Sequence, residues 1–484
     1  MRRTAELHDE LAAIAEVDPR WWLLAGGAAV AETVPPRASY MNSNAEPGGD
    51  TFIGIRSPEP TDRLVDAIAR AHAARAALRE LDGQLPDQPL AVTVDSGDAA
   101  RTIASSLEVA AFAIGARVIC ARLAADIADE GPLAERLLSA VRGDPGPEAP
   151  EGVPFVCVSI GDEPLSTARH GHRRAWIDHA GPWLGLGRCG GLTTVSTCHM
   201  VVDGYGHAWL AAKIVEHHAR LMTRAPATRE DRIAGTTTAP TDSPITTSAR
   251  TGARTFEVEL PPLVRIADAI PLGVAWRELP SPAPRALPLA YALGRVLHRA
   301  AKRPAAKFSP TFQIPIAPGE HDDPDRRLRR VVPSAMSVRF EDGEPEPYEA
   351  FEARARQILA REAAGRGLCT RLLAAARAAP VSLAWKRKTF SASRPRWLDR
   401  IAEVVGGRAC LSRIRLDVPM PPACAVSSPA RLASKADPLG SCVITILDDG
   451  THAAITACGS GIGGTPDDAA DLIDALLDEL RQEP

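Results

Sequence analysis

Short apolar blocks separated by polar, proline- and glycine-bearing stretches recur along the chain and predict alternating strands and helices. Thr51 to Arg56 (TFIGIR) reads as a strand. From Thr61 to Leu81 the residues Leu64, Ile68, Ala71, Ala74 and Leu78 fall on one face at helical spacing. Val153 to Ile160 is a continuous apolar run of strand length, and Gly191 to Cys198 (GLTTVSTC) carries the β-branched enrichment of a buried strand. Behind it, Ala208 to Met222 repeats Leu210, Ile214 and Leu221 as a helix face would.

Past this helix the pattern stops. The stretch 224–254 is rich in Thr, Ser, Ala and Pro and nearly devoid of large apolar residues, so it cannot bury enough surface to order itself and reads as a linker. The periodicity then resumes, with strands at 255–260, 311–316 and 331–340 and helices at 287–301 and 347–364. A hairpin follows, Ser441 to Leu447 and His452 to Cys458 around the turn Asp448-Asp449-Gly450, and a helix closes the pattern at 467–480. The expected organisation is a lobe over residues 1–225, a linker over 226–254 and a second lobe over 255–484. Each lobe is long enough to bury its own core. The fold class is α/β, two mixed sheets each packed with helices.

The candidate chemistry sits where the strand ending at Cys198 gives way to the next helix. His199, Asp203, Gly204 and Gly206 cluster there. A neutral imidazole titrates near physiological pH and can take the proton of a hydroxyl, amine or thiol as it attacks a carbonyl. Gly204 and Gly206 disfavour a continuous helix through this point, so the expected geometry is a turn that brings Asp203 behind the imidazole, to orient it and not to react. Adjacent strand residues point to opposite faces, which separates Cys198 from His199 and sends the thiol toward the core.

The run Cys198-His199-Met200-Val201-Val202-Asp203-Gly204 resembles the HHxxxDG motif of the chloramphenicol acetyltransferase-like superfamily. Condensation domains of peptide synthetases, wax-ester-synthase-type enzymes and plant-type acyltransferases share that motif. The resemblance makes His199 the catalytic base, with Asp203 and Gly204 as its motif partners; Cys198 replaces the first histidine. Condensation domains close their first helix with an RHxxLR-like pattern whose last arginine pairs with the motif aspartate. Leu78-Arg79 match that pattern, whereas Ala74 and Arg75 stand in place of Arg and His, so Arg79 is the implied partner of Asp203. An oxyanion donor is implied in the second lobe, with Ser309 and Thr311 at the head of FSPTFQIPI as candidates. The PLW, Asn-Asp, SNVPGP-like and DFGWG signatures of the subgroups are absent.

The resemblance implies transfer of an acyl group from a thioester, acyl-CoA or a phosphopantetheinyl carrier protein acting in trans, to a small-molecule alcohol or amine. No bound metal or redox cofactor is implied. The alternatives are a condensation-type enzyme forming an amide on carrier-bound substrates, and a catalytically silent scaffold that keeps the fold.

Two rival patterns carry less weight. Gly185-Leu-Gly187-Arg-Cys-Gly190 and Gly459-Ser-Gly461-Ile-Gly463-Gly464 match G-x-G-x-x-G, but the first precedes a strand instead of opening a helix, and the second, between a strand and a helix, lacks the further strand and ribose-binding acid of a dinucleotide site and reads as a turn. His199, Asp203 and His207 are spaced like metal ligands, but Gly204 and Gly206 argue against the rigid helix that would align them; His207, His217 and His218 read as half-exposed helix residues. A formal net charge of −4 argues against a nucleic-acid partner. Nine cysteines without regular spacing favour a reducing compartment, and the absence of a long apolar run predicts a cytoplasmic protein without a transmembrane segment.

Overall fold

The periodic segments carry over into the computed structural model. It describes residues 50–81, 90–95, 100–105, 107–114, 117–142, 154–162, 184–189, 191–198, 204–223, 257–259, 273–300, 311–316, 332–364, 366–367, 408–427, 441–459 and 468–482. The chain is mixed α/β, with two large sheets each packed with helices.

In the first half the strands are β1 (Asp50–Arg56), β2 (Leu90–Asp95), β3 (Ala100–Ser105), β4 (Val109–Ile114), β5 (Arg117–Arg122), β6 (Val156–Asp162), β7 (Leu184–Cys189) and β8 (Leu192–Cys198). The helices there are α1 (Arg63–Leu81), α2 (Gly131–Val141) and α3 (Gly204–Met222). The second half contributes β9 (Glu257–Glu259), β10 (Gly273–Leu279), α4 (Ala286–Ala300), β11 (Thr311–Ile316), β12 (Val332–Ser337) and α5 (Tyr348–Ala363). After these come β13 (Arg408–Arg415), β14 (Ala423–Ser427), β15 (Ser441–Asp448), β16 (Ala453–Gly459) and α6 (Asp468–Gln482).

The first sheet has eight strands in the order β14-β1-β8-β7-β6-β4-β5-β9. The second has six, in the order β10-β16-β15-β13-β11-β12. Two strands that follow residue 254 in sequence, β9 and β14, therefore close the two edges of the first sheet. β14 pairs antiparallel with β1 along its length, from Ile55 opposite Ala423 to Thr51 opposite Ser427. The expected linker at 226–254 lies outside the described residues.

Helix α1 starts where Asp62 Oδ1 accepts the N–H groups of Leu64 and Val65, a side-chain cap for otherwise unpaired donors. It is buried around most of its circumference, because Ala67, Ala71, Ala74 and Ala77 are small enough to let α3 approach on one side while β6 packs on the other. Trp209 and Leu210 on α3 and Ile53, Ile55, Val158 and Val195 on the strands complete this core. Each large apolar side chain buried this way contributes about 1.5–3 kcal/mol. Ile414, Leu416, Met420, Ala423 and Leu447 from the second half belong to the same cluster, so the two sheets share a continuous apolar contact. At another point of that contact, Arg56 pairs with Glu278 at 2.7 Å and its guanidinium lies 5.5 Å above the Trp276 ring.

A separate core under the second sheet is formed by α4, α5 and α6 against Ile444, Ile446, Ile455 and Ala457. The expected hairpin is present as β15 and β16, with Gly450 at φ 85° in its turn, where a side chain would strain the backbone.

One expectation about a helix start needs correction. Gly204 and Gly206 do not interrupt the helix: both lie in the first turn of α3, which starts four residues before the expected Ala208. The first turn is where a helix tolerates glycine best, since its N–H groups have no partner within the helix. The first five residues of the Gly185–Gly190 pattern lie within β7. A Cβ at Gly187 would come 2.9 Å from Thr194 Oγ1 on β8, so that glycine permits close side-chain packing across the sheet.

Candidate active site

β8 is an interior strand, hydrogen-bonded to β1 and to β7 up to its last two residues: Asp50 stands opposite Cys198, and Leu184 opposite Thr197. α3 then begins at Gly204. His199 and Asp203 lie outside the described residues, but both ends of the segment joining Cys198 to Gly204 are fixed by described groups.

Three contacts hold the α3 end. His207 Nε2 lies 3.0 Å from the Val195 carbonyl on β8. A carbonyl oxygen only accepts, so Nε2 carries the hydrogen in this bond. The side chain is buried, contrary to the half-exposed surface position expected for it. The Tyr205 hydroxyl donates to Asp417 Oδ1 at 2.8 Å, reaching the connection between β13 and β14. Gly204 itself faces β13, where a Cβ would stand 3.2 Å from Ile414 Cδ1. The first turn of α3 is thus tied to the first sheet through His207 and to the second through Tyr205 and Gly204.

Arg79, the implied partner of Asp203, is in the last turn of α1 and is exposed. Its neighbour Glu80 reaches α3, 3.4 Å from Lys213 Nζ and 2.8 Å from His217 Nε2. The buried arginines of α1 are Arg70 and Arg75. Arg70 donates through Nε to Asp66 Oδ2 at 2.9 Å and through Nη2 to the Ser159 carbonyl on β6 at 3.0 Å. Asp66 Oδ1 lies 3.0 Å from His218 Nε2 on α3. Burial alone would raise the Asp66 pKa, but His218, Arg70 and Arg188 outweigh it and hold the carboxyl below its ordinary range.

Arg75 donates through Nη2 to the carbonyls of Ala124 and Ala125 and to His72 Nδ1 at 2.9 Å. His72 Nδ1 therefore accepts, which leaves Nε2 as the donor to Glu130 Oε1 at 2.6 Å. Desolvation, joined by the charge of Arg79, lowers the Arg75 pKa. Sequence periodicity had marked α1 only by its apolar stripe. Its i, i+4 pair Asp66/Arg70 and the His72-x-x-Arg75 spacing were the available signals for this buried polar face.

Of the expected oxyanion donors, Ser309 lies outside the described residues. Thr311 opens β11, in register with Ser337 on β12 and Arg408 on β13. Among the described residues no group of three His, Cys, Asp or Glu is placed to hold a metal ion, and no helix is long and apolar enough to cross a membrane.

No family model matches the chain, and no curated protein matches it. Among solved structures it is similar to polyketide synthase associated protein 5 from Mycobacterium tuberculosis, at 12% identity over 92% of this chain and 98% of that one, with a TM-score of 0.42. It is also similar to the first condensation domain of the CDA synthetase, at 14% identity over 89% of each chain and a TM-score of 0.38. The epimerization domain from the third module of tyrocidine synthetase B is a further similar structure, at 11% identity over 90% of this chain and 91% of that one, with a TM-score of 0.40.

Proposed function

We propose that the protein is an acyltransferase of the chloramphenicol acetyltransferase-like kind, moving an acyl group from a thioester to a hydroxyl or amine with His199 as general base. The observation that carries this reading is the β8–α3 junction. A doubly paired interior strand ends one residue before His199, and a helix held by both sheets begins one residue after Asp203. In this reading the two bracketing elements serve to hold the base in position between the acyl donor and the acceptor.

In this reading the neutral His199 imidazole removes the proton from the acceptor as its oxygen or nitrogen attacks the thioester carbonyl. The tetrahedral oxyanion collapses with loss of the thiolate, and the imidazolium returns the proton to sulfur. Asp203 orients the imidazole. As the residue before a helix start, an aspartate is also favoured by the partial positive charge of the helix N-terminus. The donor is acyl-CoA or a phosphopantetheinyl carrier protein in trans, and the acceptor a small alcohol or amine. A condensation-type enzyme would use the same base, the nitrogen acceptor being the difference. We further propose the division into lobes at 1–225 and 255–484, with strands β9 and β14 exchanged into the first sheet.

The test is mass spectrometry of products after incubation with a panel of acyl-CoAs and acyl-carrier proteins, each with mixed alcohols and amines. His199→Ala is expected to lower the rate by about a hundredfold to ten-thousandfold. Equal turnover by the variant removes His199 from the chemistry, and binding without turnover by the unaltered protein favours a scaffold.

A further inference from the structure

Two consecutive histidines of α3 each face a carboxylate of α1. His218 Nε2 lies 3.0 Å from Asp66 Oδ1, and His217 Nε2 lies 2.8 Å from Glu80 Oε1. Their side chains are only 15% and 14% exposed, so neither is a freely solvated surface group. A carboxylate oxygen only accepts, so Nε2 carries the hydrogen in both contacts and Nδ1 is the atom that gains or loses a proton.

Each carboxylate already has a permanent cation. Asp66 Oδ2 accepts from Arg70 Nε at 2.9 Å, and Glu80 lies 3.4 Å from Lys213 Nζ. Arginine stays protonated at any pH a folded protein meets. The bond from Lys213 to Glu216, joined by the charge of Glu80, raises the Lys213 pKa and keeps that ammonium charged as well. The histidines thus give each carboxylate a second cation, present or absent according to pH.

The surrounding charges set the sign. At the Asp66 end, Arg70 of α1 and Arg188 of β7 oppose a further positive charge; at the Glu80 end, Glu216 of α3, itself paired with Arg220, favours one while Lys213 opposes it. Contact at 2.8–3.0 Å outweighs charges farther off, since Coulomb energy falls with distance and salt screens the longer range. Burial raises the Asp66 pKa, but His218, Arg70 and, most weakly, Arg188 lower it further, so this carboxylate stays ionised across the range in which histidine titrates.

We propose that His217 and His218 form a proton-responsive clasp between α1 and α3, which tightens as pH falls from about 8 to about 6. Protonation completes ion pairs with Glu80 and Asp66; deprotonation leaves neutral contacts in their place. A charged form favoured by the folded state contributes stability that is full when the ring is protonated and fades as pH rises past its titration. Glu80 adjoins Arg79 near the end of α1, so the clasp sets that end against the helix that opens at the candidate site.

His217→Gln and His218→Gln, singly and together, keep a side-chain N–H donor and remove the titratable charge. Thermal unfolding of the full chain is followed at pH 6 and pH 8 in the same low-salt buffer. The unaltered protein should melt about 1–3 °C above the double variant at pH 6, and within about 0.5 °C of it at pH 8. Each single variant should show part of the same pH-dependent gap, which keeps the comparison open if the double variant does not fold. A gap that is equal at the two pH values, or larger at pH 8, overturns the clasp.

Discussion

Tyr205 and Asp417, 212 residues apart in sequence, meet through a 2.8 Å hydrogen bond that ties the first turn of α3 to the connection leaving β13. That connection continues into β14, which crosses from the second sheet to pair with β1 of the first. The helix start beside the candidate base is therefore held by the same segment that joins the two sheets.

Tyr205→Phe removes only the hydroxyl. The bond is exposed, so stability should change by less than about 1 kcal/mol in urea titration. Thioester turnover should fall further than stability alone accounts for, by up to about tenfold, since small displacements of reacting groups are costly. An unchanged kcat in a correctly folded variant would show that this link does not tune the junction.

Gly204 tests the closeness of α3 to β13. Alanine gains about 1 kcal/mol of helix propensity at most, but its Cβ would stand 3.2 Å from Ile414 Cδ1, the end of a flexible side chain that can shift. Gly204→Ala should thus lie within about 1 kcal/mol of the unaltered protein. Gly204→Val should lose about 1–3 kcal/mol by overpacking, with partial recovery when Ile414→Val is added. Denaturant midpoints of the four proteins check this.

His207→Phe keeps an aromatic ring of similar size but leaves the Val195 carbonyl without this buried donor. The expected loss is about 1–3 kcal/mol. Faster amide hydrogen exchange in the first turn of α3 should accompany it, and an unaltered exchange pattern would contradict the tether.

Arg79 and Asp203 form the pair implied by the family resemblance. Because Arg79 is exposed, their coupling in a double-mutant cycle should not exceed about 1 kcal/mol. A larger coupling would mean that the pair is shielded from solvent when formed.

Asp449 provides the pH prediction. Its carboxylate accepts the backbone N–H groups of Met420, Thr451 and His452, tying the β13–β14 connection to the β15–β16 hairpin. Burial raises its pKa, but these bonds outweigh burial and the net pKa is lowered. A depressed carboxylate contributes stability that is full above the unfolded pKa of about 3.9 and is lost as pH falls through the folded value. Asp449→Asn should therefore cost stability at pH 7, and the gap to the unaltered protein should narrow below about pH 4. A gap independent of pH between 3 and 7 would contradict the sign.

Much of the local structure was legible because periodicity reports the face that each segment buries. The strand at Gly191 to Cys198, the helix behind it and the hairpin around Asp448-Asp449-Gly450 all form where their patterns place them. The start of α3 was misread because glycine's cost in a helix depends on position, and Gly204 and Gly206 lie in its first turn. The motif singled out the β8–α3 junction as the candidate place for chemistry, since residue type and spacing are local properties.

Partners distant in sequence were decided by the tertiary structure alone. Nothing in the composition of Ala423 to Ser427 says that this strand leaves its own half to pair with β1. The burial of Arg70 follows from α1 being enclosed between α3 and β6. Local patterns fix which face of a segment avoids water. Which other segment covers that face is settled only when all the apolar faces and unpaired hydrogen-bonding groups of the chain are satisfied together.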